Sequence, residues 1–473
     1  MNYCKKGAKY KASAMIICIL LMTLCGCGGT DDSAKSSITV SGGDIPVIQI
    51  ENAADVISIE TEDMPEEEAA EEEAVFEYTE IYDEVAKEYS KDIAGRDTVS
   101  MAFVGDVGFA EGYATINTYR RCANGVADCI GPEVLAYMQG VDIMMANNEF
   151  PYSYRGAPTP NKTYTFRADP KDANIMCDMG VDIVSLANNH AYDYGPDALI
   201  DTVDTLNEVK LPFVGAGKNY EEASKPAYFH VADKVISYVS ATQIERYANP
   251  DTREATEDSP GVMRTLDASK FVKEIEEAEA NSDFVVVYVH WGSESTDLVE
   301  QSQRDLARAY VDAGADLIIG DHSHCLQGID YVDNVPVFFS LGNFWFNSKT
   351  LDTCVVVVTL NLDMSIAEVK FVPCIQTGCK VRIANESEHS RIIDYMRGIS
   401  NYAQIDDDGI VVKSDTNHNT QNGQNTSPAR KPAEPAQPEV PSMEELLNTL
   451  AGQGAEAPPA ADGEAAAAPE VAQ

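Results

Sequence analysis

Positive charge is scarce in this sequence: 34 Lys and Arg stand against 77 Asp and Glu, a formal net charge of −43. So few cations exclude a nucleic-acid surface, whose phosphates need Lys and Arg for neutralisation, and exclude adhesion to anionic lipid through a basic patch. An anionic substrate held through metal ions is not excluded. Residues 98–385 carry 21 basic and 41 acidic residues, so more than half of the acidic excess lies in the flanks.

Membrane-spanning length is missing from the N-terminal apolar stretch. Ala12 to Leu24 runs for about 13 residues, short of the roughly 20 that a spanning helix needs. Behind the basic Lys5, Lys6, Lys9 and Lys11 it reads as a secretion signal. It ends in Leu24-Cys25-Gly26-Cys27, which resembles the bacterial lipobox and implies a lipid on Cys27. Residues 1–27 are therefore expected to be a lipoprotein signal peptide, and the rest to be lipid-anchored at the cell membrane on its extracytoplasmic side. A plain cleaved signal or an uncleaved anchor would put the remainder on the same side.

Zinc-knuckle spacing is also missing. Of the cysteines after Cys27, the close pairs Cys122/Cys129 and Cys374/Cys379 are disulfide candidates in an oxidising compartment, and an odd count leaves one over. Internal repeats are absent. Residues 28–97 lack sustained apolar periodicity and include the run Glu66 to Glu73, so they read as an acidic disordered linker, with a short helix expected over Phe76 to Tyr89. Residues 386–473, turning to Ala/Pro/Glu-rich low complexity from Ser427, read as a disordered tail.

Between the flanks, short apolar runs alternate with helical-period segments, the pattern of layered α/β structure. Strands are expected at Ser100–Val104, Ile143–Ala146, Ile183–Leu186, Pro212–Val214, Phe284–Val289, Leu317–Ile319 and Val335–Phe339. Helices are expected at Asp197–Asn207, Ala268–Ala280 and Leu298–Ala313, and a closing antiparallel pair at Cys354–Leu362 and Ala367–Val372. Five of these strands run straight into metal-ligand residue types: Asp106 after Val104, Asn147-Asn148-Glu149 after Ala146, Asn189-His190 after Leu186, His290 after Val289, and His322-Ser323-His324 after Ile319. Ligands gather at the carboxyl ends of strands in open α/β sheets. Only seven histidines occur, and four of them, His190, His290, His322 and His324, fall in these segments. His230, His389 and His418 have no such context and receive no role.

The ordered segments Gly105-Asp106, Asn147-Asn148-Glu149-Phe150-Pro151, Ser185 to His190 with Asp193 and Gly195, His290-Trp291-Gly292-Ser293-Glu294, Gly320 to His324 with Gln327, and Ser340 to Phe344 resemble the motifs of the CapA family of poly-γ-glutamate capsule synthesis proteins. That family belongs to the metallophosphatase-like superfamily. The resemblance covers about residues 98–346 and implies a domain over 98–385 built as a four-layer α/β/β/α sandwich, two β-layers flanked by helices, with metals at one sheet edge. It also implies one or two divalent ions held by Asp106, Glu149, Asn189, His290, His322 and His324, a proton carried by His190, and substrate contacts from Asn147, Glu294 and Asn343. Two departures stand out. Position 108 is Gly where the superfamily usually has His, and Asp321 replaces a histidine of the usual Gly-His-His-Pro-His.

Mixed carboxylate, amide and imidazole ligands suit Mn, Fe or Zn better than Ca or Mg. Three functional classes follow. The first is a metal-dependent hydrolase or transferase of poly-γ-glutamate or another cell-envelope polymer, acting on a phosphoester or a γ-glutamyl amide. The second is a non-catalytic component of a polymer assembly or export complex, beside a polymer ligase and export subunits. The third is a metal-stabilised surface binding module.

Overall fold

A computed structural model describes residues 79–244 and 252–417. Two large sheets face each other. The first runs in the order 82–83, 88–91, 227–231, 234–242, 284–290, 317–321, 335–338, 329–332. The second runs 380–383, 366–377, 351–361, 98–107, 143–148, 183–185, 213–214, with Asn343–Trp345 pairing beside Thr98–Val107.

Period-2 alternation sorts each central strand between two cores. In Thr98–Val107, Met101 and Phe103 enter the core between the sheets, while Ala102 and Val104 enter an outer core. Phe284–His290 behaves alike: Val286 and Tyr288 point inward, Val285, Val287 and Val289 outward. Both faces are covered, so the strands read as continuous apolar runs. The outer face of the second sheet is covered by helices Pro132–Gly140, Asn174–Met179 and Pro196–Val209. That of the first is covered by Ser269–Ala280, through Phe271, Ile275 and Ala278, and by Gln301–Asp312, through Ala307 and Tyr310. The result is the expected four-layer α/β/β/α sandwich, and each expected strand and helix of the central region is present within a few residues. The closing pair is found at Leu351–Asn361 and Ile366–Thr377, antiparallel.

The folded region is longer than 98–385 at both ends. Residues expected as linker, with a helix at 76–89, instead form a hairpin, Tyr82–Asp83 with Glu88–Lys91, which joins the first sheet through Ala227–Val231. Tyr89 packs there against Phe229, and the reversal uses Lys87 at a φ of 55°. Part of the expected tail is ordered too. Asn385 and Glu388 form a reciprocal capping box at the start of helix Glu386–Ile399, which sends Ile392, Ile393 and Met396 into the inter-sheet core beside Ala403, Ile405 and Val411 of a following hairpin. The rest of both flanks, with Cys27 and His418, lies outside the described residues.

Neither close cysteine pair is bonded. The Cys122 and Cys129 sulfurs lie 3.5 Å apart as free thiols, well beyond a disulfide length. Cys374, in a strand opposite Ile383, and Cys379, in the turn beyond Thr377, are free as well. Among the described residues no helix is long and apolar enough to cross a membrane.

The C-terminal extension is thus part of the cooperative unit. Ile393→Ala is expected to lower the unfolding free energy by about 2–5 kcal/mol, the usual range for emptying a buried aliphatic site. Urea denaturation of the full chain followed by circular dichroism measures this, and an unchanged midpoint would show that the extension folds separately.

Candidate metal centre

Parallel pairing brings the strand ends together. Asp106 lies opposite Asn147, and Asn147 opposite Ser185, in the second sheet; His290 lies opposite Asp321 in the first. Four of the five strands extend one to three residues past their apolar runs, so Asp106 (after a break in register beyond Phe103), Asn147, His290 and Asp321 still lie within strands and Glu149 just beyond one. After Asp321 the chain turns sharply, and His322 and His324 take φ values of 93° and 57°. Left-handed backbone at non-glycine residues costs about 1–3 kcal/mol each and persists where the surroundings impose it. Here it aims both imidazoles across the seam between the sheets.

Two sets of ligand atoms lie within 4.8 Å of one another: Glu149, His290 and His322, and Asp106, Glu149 and His324. Glu149 belongs to both. His290 Nε2 is 3.5 Å from Glu149 Oε1, 3.0 Å from His322 Nδ1 and 2.8 Å from Asn189 Oδ1. His324 Nδ1 is 3.0 Å from Asp106 Oδ2. All six expected ligands, Asp106, Glu149, Asn189, His290, His322 and His324, are therefore drawn to one place.

The fit to a metal rests on an orphaned group. Both Glu149 oxygens are fully buried and have no hydrogen-bond partner. A buried carboxylate without partners is costly unless a cation or a proton neutralises it. Burial, with Asp106 and Asp321 nearby, pushes the Glu149 carboxyl well above its usual range. Burial and the neighbouring imidazoles push His290 and His322 well below theirs, so both are neutral nitrogen donors. For His324, burial works against the charge, but the hydrogen bond and charge of Asp106 prevail and the net shift is upward. A borderline divalent cation suits this donor set.

His190 stands at the edge of the group, its Nε2 4.0 Å from Glu149 Oε1. Its Nδ1 is 2.7 Å from Asp193 Oδ2, which also accepts from the Phe166 backbone N–H at 2.6 Å. Burial lowers its pKa and the Asp193 carboxylate opposes that. The Phe166 ring lies against the imidazole, centroids 4.2 Å apart.

A cleft of about 740 Å³ opens onto Asn189, His190 and His324, and Glu294 and Asn343 stand in its lining. Asn147 does not line it. This residue is fully buried, donating to Asp106 Oδ1 at 2.8 Å and accepting from Asn188 Nδ2 at 3.0 Å, so it orients a carboxylate rather than meeting substrate. Lys162, Phe166, Asn188 and Phe346 also shape the site, and none was read from the sequence. Asn188 had a signal, its place in the Asn188-Asn189-His190 run. Lys162, Phe166 and Phe346 had none beyond the loops that carry them.

The two departures have structural accommodations. A Cβ on Gly108 would meet the Phe346 ring at 2.7 Å, so the ring occupies the space that a side chain at 108 would use. Asp321 is paired with the Tyr288 hydroxyl, whose oxygen lies 3.0 Å from the Val104 carbonyl. Burial and Asp106 raise the Asp321 pKa, and the residue belongs to neither ligand set. Gly105 permits this crowding: a Cβ there would lie 1.9 Å from the Gly342 carbonyl oxygen. His230, at 2.5 Å from Glu88, and His389, bonded to the Asp407 carbonyl, lie outside the centre.

Comparison with known proteins places this geometry in a lineage. The family described as "Bacterial capsule synthesis protein PGA_cap" matches residues 100–348. The chain is 31% identical over 265 residues to the PGA biosynthesis protein CapA of Bacillus subtilis, covering 55% of this chain and 67% of that one. It is 29% identical over 308 residues to the capsule biosynthesis protein CapA of Bacillus anthracis, covering 63% and 72%. It is 26% identical over 219 residues to a probable polyglutamine synthesis accessory protein of Mycobacterium tuberculosis, covering 45% and 58%.

The Glu149 proton gives a test with a definite sign. Its folded pKa is raised, so the metal-free fold holds a proton that the unfolded chain releases above about pH 4.5, and stability falls as pH rises from there through the folded pKa. Metal-free Glu149→Gln escapes this and should gain on the metal-free wild type by up to about 1.4 kcal/mol per pH unit over that window. Thermal melts in chelator from pH 5 to 8 report it; a difference that stays flat with pH would refute the assignment.

Proposed function

Because the chain belongs to the bacterial capsule synthesis protein PGA_cap family, we propose that it is an extracytoplasmic lipoprotein whose metal centre serves hydrolysis or group transfer on poly-γ-glutamate or another cell-envelope polymer. The observation that carries this reading is an orphaned, buried Glu149 carboxylate 4.0 Å behind an oriented His190 that lines the cleft.

Asp106, Glu149, Asn189, His290, His322 and His324 would hold Mn, Fe or Zn, which when bound lowers the pKa of a water and polarises the attacked centre. The remaining work belongs to the chain. Asp193 accepts the Nδ1 proton of His190, leaving Nε2 to face the cleft as the atom that carries a proton to the leaving oxygen or nitrogen. Because burial lowers the His190 pKa, the protonated ring is a stronger acid than free histidine, and its charged fraction declines as pH rises through the lowered value. Glu294 and Asn343 form polar walls for the substrate, and Tyr113, Phe166 and Phe346 supply apolar ones. The polymer ligase and export subunits are the partners that this role requires.

The second reading, a non-catalytic component of an assembly or export complex, is favoured by the Phe346 ring in the space beside Gly108. One experiment separates the two. The full chain, metal-loaded, should carry stoichiometric transition metal and cleave an aryl phosphodiester or poly-γ-glutamate, and His190→Ala should lower turnover about 10²–10⁴-fold with metal retained. Equal turnover in His190→Ala would remove the acid role, and the absence of bound metal would remove the enzyme reading. For the anchor, labelled palmitate should enter the wild type and not Cys27→Ala; persistence of the label would refute lipidation at that residue.

A further inference from the structure

We propose that Lys162 is a positioning residue that sets the orientation of His190 by acting through Asp193. The idea rests on the reading of His190 as the proton carrier, and nothing in the family motifs read from the sequence includes position 162.

Lys162 is nearly buried, its side chain 5% exposed, beside an Asp193 side chain that is 0% exposed. Its ammonium donates to Asp193 Oδ1 at 2.6 Å and to the backbone carbonyl of Asn189, the residue just before His190. Asp193 is gripped from the same segment a second time, by the Phe166 N–H on Oδ2, and its own backbone carbonyl accepts from Thr159 N–H at 2.8 Å. Each carboxylate oxygen therefore has an assigned donor: Oδ1 takes Lys162, and Oδ2 takes Phe166 and His190.

Such an arrangement fixes more than charge. A carboxylate held on one oxygen can rotate, and the imidazole hydrogen-bonded to the other would rotate with it. Lys162 blocks that rotation, and its second bond, to the Asn189 carbonyl, seats the ammonium against Asp193 Oδ1. Residues 162 and 166 are the two ends of a short span that carries Tyr164, 63% exposed, onto the cleft wall. The loop that meets the substrate and the ring that moves the proton are thus joined at one buried ion pair. Partners of this outer kind typically influence activity about 10–100-fold.

The test uses the full-length, metal-loaded protein with an aryl phosphodiester as probe. Lys162→Met should lower kcat about 10–100-fold with KM within about twofold, and Lys162→Arg should recover most of the loss. Since Lys162→Met leaves the buried Asp193 Oδ1 without its cation, the double variant Lys162→Met/Asp193→Asn guards against misfolding. It should match Asp193→Asn alone, because Lys162 acts through that carboxylate. A further fall in the double variant, or a Lys162→Met protein with wild-type kcat, would overturn the proposal. A readout independent of turnover is the downfield proton resonance of His190 Nδ1–H, expected in the wild type and shifted or lost in Lys162→Met at unchanged metal content. Should the wild type show no turnover, the proposed reaction fails while this resonance still decides the role of Lys162: an unaltered signal in Lys162→Met rejects it.

Discussion

Two carboxylates, Asp106 and Glu149, are sealed with the imidazoles of His290 and His322 into the seam between the sheets, and Glu149 has no hydrogen bond to either oxygen. Transfer of an unpaired carboxylate out of water is among the largest single costs that a fold can carry. A protein that places one there must hold it protonated or supply a cation. The surrounding groups favour the second: His290 and His322 are kept neutral by burial, so they offer lone pairs rather than charge. The sandwich around them supplies the rigidity. Each ligand stands at or just past the end of a strand whose other side chains are fixed in two cores. Positions are therefore set by packing rather than by the ligands themselves, as an effective centre requires.

Around the carboxylates lies a second ring of groups that hold rather than bind. Asn147 fixes Asp106, Asn188 fixes Asn147 and the His190 backbone, and Asp193 fixes the His190 ring. This chain of amides crosses three adjacent strands of the second sheet, where register alone brings positions 106, 147 and 185 side by side. The tautomer of His190 follows from the same network. With Nδ1 committed to Asp193, only Nε2 is left to face the cleft.

Legibility in the sequence divides along physical lines. Strand ends were readable because an apolar run followed by Asp, Asn or His marks both the element and its polarity, and the sheet then dictates convergence. The role of Lys162 was not, because its partner is 31 residues away and the loop between carries no periodicity. Asn147 was misplaced for a related reason: a motif names a neighbourhood, and only register shows whether an amide faces the cleft or a neighbouring carboxylate. At the chain ends, composition misled. A two-residue strand such as Tyr82–Asp83 is too short to alternate visibly, and helix Glu386–Ile399 is polar enough to pass for tail although Asn385 and Glu388 spell out its cap.

Gly108 and Asp321 border different parts of the centre: Gly108 lies by Phe346, and Asp321 stands opposite His290. Glu149, His290 and His322 form a buried, nitrogen-rich triad to which neither Gly108 nor Asp321 adds a ligand atom. Asp106, Glu149 and His324 form the other triad, on the cleft side, and it is there that Phe346 fills the space beside Gly108 and lies against His324, ring centroids 5.1 Å apart. Asp321, though close enough to raise the Glu149 pKa, is engaged by Tyr288 rather than by this triad. The arrangement is asymmetric: one triad is enclosed on all sides, while the other has an aromatic ring, Phe346, beside its imidazole. Shared Glu149 links the two, so charge placed at either position relieves the same buried carboxylate.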